Sequence, residues 1–285
     1  MTGARARTAI VYDFDGTLAH GNVQEHSFLP ELKLDAKEFW ASVKELTRSQ
    51  DADEVLMYMW QMLAEARKRS IPITRAAFAA HGSRTPLFDG LDTWFRRINE
   101  YGAARGLQIE HYIISSGTQE MIEGSPLSKE FTKIFASRFM YNETDEAVWP
   151  GVAINYTNKT QFLFRINKGI DNTWDNAKIN RYIPEPERPI PFQRMIFLGD
   201  GDTDIPAMKM VRHQGGHAVA VFDPERWALE ATQQHVYRLI AEDRAHFTVP
   251  ADYRTGSQLD VTVRGVLGRI ARGAGYRGER DGGNA

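Results

Sequence analysis

A short apolar segment, residues 8–12, ends abruptly in the sequence Asp-Phe-Asp-Gly. Its apolar and β-branched side chains predict a strand that is buried on both faces, as in a parallel sheet. Three further segments share this character, and each leads into Gly, Ser or Asp and then a helical pattern: residues 111–114, 195–198 and 218–222. Strands that alternate with helices predict an α/β fold, with a parallel sheet and helices on both of its faces. Such sheets place their chemistry at the carboxyl ends of the strands.

The stretch between the first two predicted strands is too long for one crossover helix. Apolar side chains recur within it at helical spacing, first at Phe39, Trp40, Val43 and Leu46, and then at Val55, Leu56, Met59, Trp60 and Leu63. We therefore predict a small helical domain, residues 20–85, inserted into a core domain formed by residues 1–19 and 86–272. Its tryptophans and methionines are expected to form its core. The Gly-, Arg- and Asp-rich residues 273–285 predict a disordered tail.

The composition narrows the partners that this chain can have. Its 285 residues carry a formal net charge of −2, so no overall basic field favours nucleic acid or an anionic membrane. No apolar run approaches the roughly 20 residues that span a bilayer, and residues 1–8 lack the apolar stretch and cleavage site of a secretory signal. The absence of cysteine excludes disulfides, thiolate metal sites and a cysteine nucleophile. We expect a cytoplasmic protein whose partner is neither nucleic acid nor a membrane. The sequence does not indicate whether the chain is a monomer or an oligomer.

Two carboxylates follow the first predicted strand directly. Asp13 and Asp15 occupy alternate positions, so both lie on one side of an extended strand end, and Gly16 allows a sharp backbone turn close to a ligand. Carboxylates this close together require a counter-cation, or one of them takes up a proton. Both outcomes suit phosphate chemistry, since one ionised group attacks while a protonated neighbour supplies a proton to the leaving oxygen. A pair of capping or turn aspartates is the structural alternative, but the full Asp-Phe-Asp-Gly-Thr-Leu string after a buried strand favours function.

A second acidic loop follows another of the predicted strands. Asp200, Asp202 and Asp204 lie within five residues, and their mutual repulsion destabilises an unliganded loop unless a hard divalent cation relieves it. A calcium loop of the D-x-D-x-D-G type is excluded, because Ile205 stands in place of the required glycine and Val211 in place of the closing glutamate. A solvated acidic turn is the remaining structural alternative.

Two weaker signals lie between these acidic loops. The segment Ser115-Ser116-Gly117-Thr118 ends the second predicted strand and begins a helix. Hydroxyls and free amides at a helix N-terminus form an anion site, although Ser and Thr are also ordinary N-caps. Lys159 opens another predicted helix and is within reach of a phosphate, although a lone lysine is usually a solvated surface group.

Taken together, these four segments resemble the motifs of the haloacid dehalogenase (HAD) superfamily of aspartate-nucleophile phosphotransferases. The resemblance covers about residues 8–225, and its order of paired aspartates, hydroxyl, lysine and Gly-Asp-x-x-x-Asp is the order in that family. It implies a Rossmann-like core with a helical cap, placed as in the phosphoserine phosphatase branch. It also implies Mg²⁺ as the cofactor and a small phosphorylated metabolite as the substrate.

The resemblance assigns roles to individual residues. Asp13 would be the nucleophile and Asp15 the general acid and base. Four residues would hold the phosphoryl group: Ser115, Ser116, Gly117 and Lys159. Four aspartates would hold Mg²⁺ directly or through its water shell: Asp13, Asp15 (by its backbone carbonyl), Asp200 and Asp204. The acid at position 15 favours a phosphate ester over a halide, because an alkoxide leaving group needs a proton and a halide does not.

The lysine assignment has alternatives. Lys159 lies 41 residues before Asp200, which is further than is usual in the family, so Lys168 and Lys178 are its rivals. The family's lysine begins a helix, and Lys159 is predicted to do so. We therefore prefer Lys159.

The substrate-binding part of the resemblance is weaker. The phosphoserine phosphatase branch has a glutamate nine positions after the nucleophile, where this chain has Asn22, so Glu25 and His26 are the nearby candidates for substrate contact. The favoured interpretation is a Mg²⁺-dependent phosphatase. A phosphomutase uses the same paired aspartates but returns the phosphate to its substrate. A non-catalytic binding protein usually lacks one of the motif carboxylates, and this chain keeps all of them.

Overall fold

The computed structural model describes residues 5–277, apart from the side chain of Asp202. Within that range the chain folds into one mixed sheet surrounded by helices. The strands are β1 (Ala6–Tyr12), β2 (Leu107–Thr118), β3 (Lys133–Tyr141), β4 (Ala147–Val152), β5 (Met195–Gly199), β6 (His217–Phe222) and β7 (Phe247–Pro250). The helices are α1 (Phe28–Glu31), α2 (Ala36–Gln50), α3 (Glu54–Lys68), α4 (Arg75–Gly82), α5 (Leu91–Ala103), α6 (Gln119–Gly124), α7 (Lys159–Lys168), α8 (Asn176–Asn180), α9 (Ile205–His213), α10 (Glu230–Ala241) and α11 (Gln258–Gly273).

The first strand lies at the centre of the sheet, whose order is β4-β3-β2-β1-β5-β6-β7. β1 pairs in parallel with β2 on one side and with β5 on the other. β3, β6 and β7 continue the parallel arrangement outwards, whereas β4, at one edge, runs antiparallel to β3. This topology confirms the predicted α/β fold with a parallel sheet. Three of the strands, β3, β4 and β7, were not predicted from the sequence.

The side chains of β1 face two separate hydrophobic clusters, one on each side of the sheet. Ile10 and Tyr12 lie in a cluster with residues of α5 and α11, whereas Ala9 and Val11 lie in a cluster with residues of α7 and α9. All four side chains are fully buried. Helices therefore cover both faces of the sheet, as predicted from the apolar and β-branched side chains of residues 8–12.

Helices α1 to α4 lie between β1 and β2, in the segment predicted to be helical. Three of them begin at a side chain that accepts a hydrogen bond from a backbone amide of the first turn: Asp35, Asp53 and Thr74. Such caps satisfy amides that have no partner within the helix, and so fix where each helix starts. Met59 is fully buried, as predicted for the core of this segment, but Trp60 is 42 % exposed.

The far end of this helical segment is fixed to the sheet. α4 packs directly against α6, so that a Cβ added to Gly82 would lie 1.7 Å from the carbonyl oxygen of Met121. Beside it, the amide of Ala147 in β4 donates a 2.9 Å hydrogen bond to the carbonyl of Ile73. The buried side chains of α2 and α3 belong to the same hydrophobic cluster as those of α5 and α11. The helical segment and the sheet therefore share one continuous core.

The predicted tail begins within the last helix. α11 continues to Gly273, and Tyr276 packs against the hydrophobic cluster that contains α5. The remainder of the predicted tail, residues 278–285, lies outside the described residues. Among the helices of residues 5–277, none combines the length and the apolar character needed to cross a membrane.

Candidate active site

The strand order brings the predicted motifs to one edge of the sheet. Asp13 follows β1, Ser115 lies near the end of β2, and Asp200 follows β5. Because β1 lies between the other two strands, the carboxyl ends of all three are neighbours. Lys159 joins them from the first residue of α7. Motifs that are far apart in the sequence thus form a single site.

Asp13 is held between a backbone amide and an ammonium group. Its Oδ1 accepts a 2.8 Å hydrogen bond from the amide of Phe14, and its Oδ2 lies 3.2 Å from Lys159 Nζ. Asp13 is only 5 % exposed, yet it lines a cavity of about 470 Å³. The site therefore presents a carboxylate in a fixed orientation to that cavity.

Lys159 is fully buried and bridges two of the acids. Its Nζ lies 2.7 Å from Asp204 Oδ1 as well as 3.2 Å from Asp13 Oδ2. Burial by itself lowers the pKa of Lys159, but the carboxylates of Asp13 and Asp204 outweigh this effect and hold that pKa above its usual value. The ammonium is therefore charged at neutral pH and neutralises part of the acidic site.

The two alternative lysines have other partners. Lys168 Nζ donates hydrogen bonds of 2.6 and 2.8 Å to the carbonyls of Ile179 and Arg181. Lys178 pairs with Asp175 at 3.3 Å, and its side chain is 67 % exposed. Of the three candidate lysines, the one at the start of α7 is therefore the one that contacts the motif aspartates.

Asp15 lies close to Asp13 but has a different environment. Its Oδ1 accepts a 2.9 Å hydrogen bond from the amide of Val23, and its Oδ2 lies where a Cβ on Gly117 would come within 2.7 Å. Burial, together with the charge of Asp13, raises the pKa of Asp15 to about 8. A carboxyl with this pKa holds a proton at neutral pH and can donate it.

Three of the aspartates are arranged as ligands of a cation. Asp13, Asp200 and Asp204 each offer a carboxylate oxygen, and these atoms lie within 4.8 Å of one another. Burial and the nearby charges of Asp13 and Asp204 raise the pKa of Asp200 well above its usual value. Burial and the charge of Asp13 likewise raise the pKa of Asp204 above its usual value. A divalent cation relieves such repulsion, and an all-oxygen donor set suits Mg²⁺, so these residues fit the implied cofactor. The side chain of Asp15 is not part of this group, and its contribution through the backbone carbonyl stays a prediction.

Some of the hydroxyl and amide groups in the loop at the end of β2, residues 115–118, form hydrogen bonds with one another. Ser115 Oγ accepts a 3.0 Å hydrogen bond from the amide of Gly117, so this amide, predicted to be free for an anion, already has a partner. Ser116 is half-buried, and its Oγ has no hydrogen-bond partner among the described residues. Of the two serines that line the acidic cavity, Ser116 is therefore the one whose hydroxyl has no partner among the described residues, whereas the Ser115 hydroxyl accepts one hydrogen bond and can still donate.

Two cavities meet at Asp15. The acidic cavity, of about 470 Å³, is lined by Asp13, Asp15 and Asp200 and extends beyond the end of β6. The aromatic cavity, of about 390 Å³, is lined by Asp15, Trp40 and Tyr58 and extends towards α2 and α3. Ser116 lines both cavities as well. Asp15 and Ser116 thus lie at the junction of an acidic compartment and an aromatic one.

The candidates for substrate contact, Glu25 and His26, have structural partners instead. Glu25 Oε1 accepts hydrogen bonds from Asn22 Nδ2 at 2.7 Å and from Trp40 Nε1 at 2.6 Å. His26 Nε2 donates to the carbonyl of His20 at 2.5 Å. Neither Glu25 nor His26 lines the two cavities. Glu25 orients two side chains that do line the aromatic cavity, so its influence on a ligand is indirect.

Two contacts at the site were not predicted. Tyr58 Oη donates a 2.5 Å hydrogen bond to the carbonyl of Ser116. His235 Nε2 donates a 2.9 Å hydrogen bond to the carbonyl of Asp200, while its Nδ1 accepts from Arg238 at 3.1 Å. Tyr58 is one aromatic residue among several in a helix, and His235 lies beyond the last motif, so neither carried a signal in the sequence.

Comparison with known families decides the membership of this chain. A family model described as haloacid dehalogenase-like hydrolase matches residues 10–209, a range that includes all four motifs. The chain belongs to the haloacid dehalogenase-like hydrolases. The resemblance indicated by the motifs is therefore confirmed, and the sheet described above is the core of a HAD-family hydrolase.

Individual proteins and structures are similar to this HAD hydrolase over most of its length. An uncharacterised protein of Borreliella burgdorferi is 26 % identical over 275 residues, covering 88 % of this chain and 93 % of that protein. A HAD family hydrolase from Salmonella enterica serovar Typhi has a TM-score of 0.53 at 16 % identity, covering 93 % of this chain and 72 % of that one. A substrate-bound phosphoserine phosphatase has a TM-score of 0.50 at 15 % identity, covering 85 % of this chain and 92 % of that one. At these identities the two structures show a shared fold.

Proposed function

We propose that this HAD hydrolase is a Mg²⁺-dependent phosphatase that hydrolyses a small phosphate monoester through a phosphorylated Asp13. The observation that carries the proposal is the contact of Lys159 with both Asp13 and Asp204, beside a cavity lined by acids. A carboxylate paired with a cation, a second carboxyl beside it and an all-oxygen metal site are what phosphoryl transfer to an aspartate requires.

The first step transfers the phosphoryl group to the protein. An oxygen of the Asp13 carboxylate attacks phosphorus in line with the ester bond. The bond between phosphorus and the ester oxygen breaks, and Asp15 gives its proton to that oxygen, so that a neutral alcohol leaves. Lys159 and the Ser116 hydroxyl stabilise the charge on the phosphoryl oxygens. Bound Mg²⁺ would neutralise the remaining negative charge of the phosphoryl group.

The second step releases orthophosphate. Asp15, now ionised, accepts a proton from a water molecule as that water attacks the phosphorus of the acyl phosphate. The bond between phosphorus and Asp13 breaks, and both aspartates return to their starting states. The position of Asp15 supports both of its roles, because it lines the acidic and the aromatic cavity alike.

We also propose that residues 20–85 act as a cap that covers the active site and takes part in substrate selection. This segment supplies Trp40 and Tyr58 to the aromatic cavity. Tyr58 also reaches the catalytic loop through its hydrogen bond to the carbonyl of Ser116. A segment with these contacts excludes water from the acyl phosphate and contacts the leaving group.

Hydrolysis of p-nitrophenyl phosphate by the purified chain tests the proposed function. We expect nitrophenol and orthophosphate to appear in equal amounts over many turnovers. A mutase would release orthophosphate slowly and would need a bisphosphate activator. Failure to release orthophosphate from p-nitrophenyl phosphate and from a panel of phosphorylated metabolites would contradict the proposal.

Removal of divalent cations is expected to abolish this activity. Without a cation, the acids around Asp200 repel one another and the phosphate, so chelation by EDTA should reduce the rate to background and added Mg²⁺ should restore it. Ca²⁺ should restore little activity, because its looser coordination leaves Asp13 misplaced for in-line attack. The measurement is the initial rate against free metal concentration. Full activity in the presence of chelator would exclude the metal site.

Replacement of Gly16 by alanine is expected to lower kcat/KM by about tenfold or more. Gly16 has a φ of +70°, and an added Cβ would lie 2.1 Å from Asp200 Oδ2, so the methyl group displaces this carboxylate from the metal site. Gly21→Ala is the matched control, because Gly21 has a φ of +60° but its nearest neighbouring atom would be 3.2 Å away. Both variants share the backbone strain. A Mg²⁺ titration in which only Gly16→Ala needs more metal would support the geometry, and equal effects would contradict it.

A further inference from the structure

The aromatic cavity is the space available to the leaving group of a phosphate ester. It meets the acidic cavity at Asp15, the group proposed to protonate the departing oxygen. Its volume is about 390 Å³, at the small end of the roughly 300–1,000 Å³ that is usual for ligand pockets. An alcohol of about the size of a monosaccharide fits such a space better than a nucleoside or a peptide.

Two aromatic rings form one wall of this cavity. Trp40 and Tyr58 pack edge to face, with ring centroids 5.6 Å apart. The indole N–H of Trp40 donates a 2.6 Å hydrogen bond to Glu25 Oε1. The hydroxyl of Tyr58 donates a 2.5 Å hydrogen bond to the carbonyl of Ser116. These bonds fix both rings before a ligand binds. With their polar atoms satisfied, the rings offer carbon surface to the C–H face of a ligand ring.

Gln24 contributes hydrogen-bonding capacity that the protein does not use. It is 2 % exposed and lines the aromatic cavity, yet its Oε1 has no hydrogen-bond partner among the described residues. A buried amide oxygen without a partner is costly unless a ligand supplies one. Asn22 and Asn155 line the same cavity. Their Nδ2 groups already donate to Glu25 and Asp53, which leaves their side-chain oxygens as acceptors. Amides both donate and accept hydrogen bonds, as hydroxyl groups do, so this set of side chains matches an alcohol with several hydroxyls.

The charged side chains of the aromatic cavity favour neither a cation nor an anion. Lys44 and Glu54 both line it and carry opposite charges. Lys44 is exposed to solvent, where water and salt weaken its attraction for an anionic group. An alcohol with a net charge would be attracted by one of these two side chains and repelled by the other, whereas a neutral alcohol meets neither effect.

From these features, and resting on the proposed phosphatase function, we propose that the substrate is the phosphate ester of a neutral, hydroxyl-rich alcohol of monosaccharide size. The alcohol binds in the aromatic cavity with one face against Trp40 and with its hydroxyls at the amide of Gln24. Gln24 and Trp40 are the specificity-determining residues of this site. They act on the leaving group, and the phosphoryl group is held by the acidic cavity alone.

The test compares kcat/KM for three classes of phosphate ester with that for acetyl phosphate, whose small leaving group makes no use of the cavity. The full chain with Mg²⁺ is given glucose 6-phosphate, fructose 6-phosphate and ribose 5-phosphate as neutral alcohol esters. O-Phosphoserine provides a zwitterionic leaving group and phosphocholine a cationic one. We expect the best sugar phosphate to exceed both O-phosphoserine and phosphocholine by tenfold or more in kcat/KM.

Variants then connect this preference to the named residues. Gln24→Leu removes the amide at similar volume and is expected to lower the ratio of kcat/KM for sugar phosphate to that for acetyl phosphate by about tenfold. Trp40→Leu is the second variant, and it changes a side chain that is only partly buried. It is expected to lower the same ratio by a similar factor. Gln61→Leu is the matched control, since Gln61 lies in α3, also has an unpartnered Oε1, and does not line the cavity. It should leave the ratio at the wild-type value.

The outcomes separate this inference from the function on which it rests. Hydrolysis of acetyl phosphate without a preference for sugar phosphates, or with O-phosphoserine or phosphocholine preferred, would overturn the inference and leave the phosphatase intact. A ratio that is unchanged in both cavity variants would also overturn it. Melting curves identify a variant that fails to fold, in which case the other variant decides. If the wild-type chain hydrolyses p-nitrophenyl phosphate but none of these compounds, the inference alone is overturned. If it hydrolyses neither, the phosphatase proposal fails and the inference falls with it.

Discussion

Replacement of Asp13 by asparagine is expected to lower kcat by about a thousandfold or more while leaving the fold intact. An amide has the shape of the carboxylate, and its carbonyl oxygen can still accept the hydrogen bond from the amide of Phe14. It cannot attack phosphorus at a useful rate, so the covalent route is lost. The measurement is orthophosphate release under single-turnover and steady-state conditions. A trapping experiment with labelled substrate should place label on the wild-type chain and none on Asp13→Asn.

A matched variant separates loss of the nucleophile from general effects of the change. Asp35→Asn makes the same substitution at the N-cap of α2, where asparagine is as good a cap as aspartate. This variant should have wild-type activity and stability. If Asp13→Asn retained a rate within tenfold of the wild type, the assignment of the nucleophile would be wrong.

Replacement of Lys159 by alanine should have the second largest effect, a loss of about a hundredfold or more in kcat/KM. The change removes a fully buried ammonium that lies 3.2 Å from Asp13 and 2.7 Å from Asp204. The acids then lack their counter-charge, and the phosphoryl oxygens lose a cation in the transition state. The chain should also melt at a lower temperature, and Mg²⁺ should recover part of this loss because it binds the same acids.

The two rival lysines provide the controls for this variant. Lys168→Ala removes contacts to backbone carbonyls near α8, and Lys178→Ala removes an exposed pair with Asp175. Both variants should keep kcat/KM within a few-fold of the wild type. An inactive Lys178→Ala with a functional Lys159→Ala would show that the phosphate-binding lysine had been misassigned.

The edge of the sheet that carries the motif residues could be predicted, because these residues directly follow strands that are easily recognised in the sequence. β1 has an apolar, aromatic or β-branched side chain at every position from Thr8 to Tyr12, and a strand of this type must be covered on both faces. The polar loop at the carboxyl end of β1 therefore lies beside the loops that follow the neighbouring parallel strands. Asp13 and Asp200 follow such strands directly, so their convergence needed only the parallel topology. Lys159 required a further step, its position at the start of α7.

The outer strands were missed for reasons of sequence chemistry. β4 contains Pro150 and Gly151, which weaken any strand pattern and are tolerated because β4 lies at the edge of the sheet. β3 is interrupted by polar residues such as Ser137 and Arg138. β7 has only four residues. None of these strands carries a motif residue, so their absence from the prediction left the site unaffected.

The residues that line the aromatic cavity could not be predicted from the sequence. Gln24, Trp40 and Tyr58 come together through the packing of helices on loops, and no spacing rule links them. Glu25 and His26 were sensible candidates by position, yet they face partners within the same segment. A single sequence reports periodicity and strand ends well. Contacts between side chains on different helices, strands and loops depend on tertiary packing, which cannot be read from short segments of a single sequence.

α3 is attached to the candidate active site by hydrogen bonds at one of its ends. Tyr58 bonds to the carbonyl of Ser116, and Asp53, at the start of the helix, accepts a 2.5 Å hydrogen bond from Asn155 Nδ2 in the loop before α7. The other end of the helical segment is anchored where Gly82 meets Met121. Movement of α3 away from Ser116 and Asn155 therefore breaks two hydrogen bonds at one end of one helix. Under the proposed function, we expect a bulky alcohol product to leave faster once these two bonds are removed, and a small one to leave at an unchanged rate.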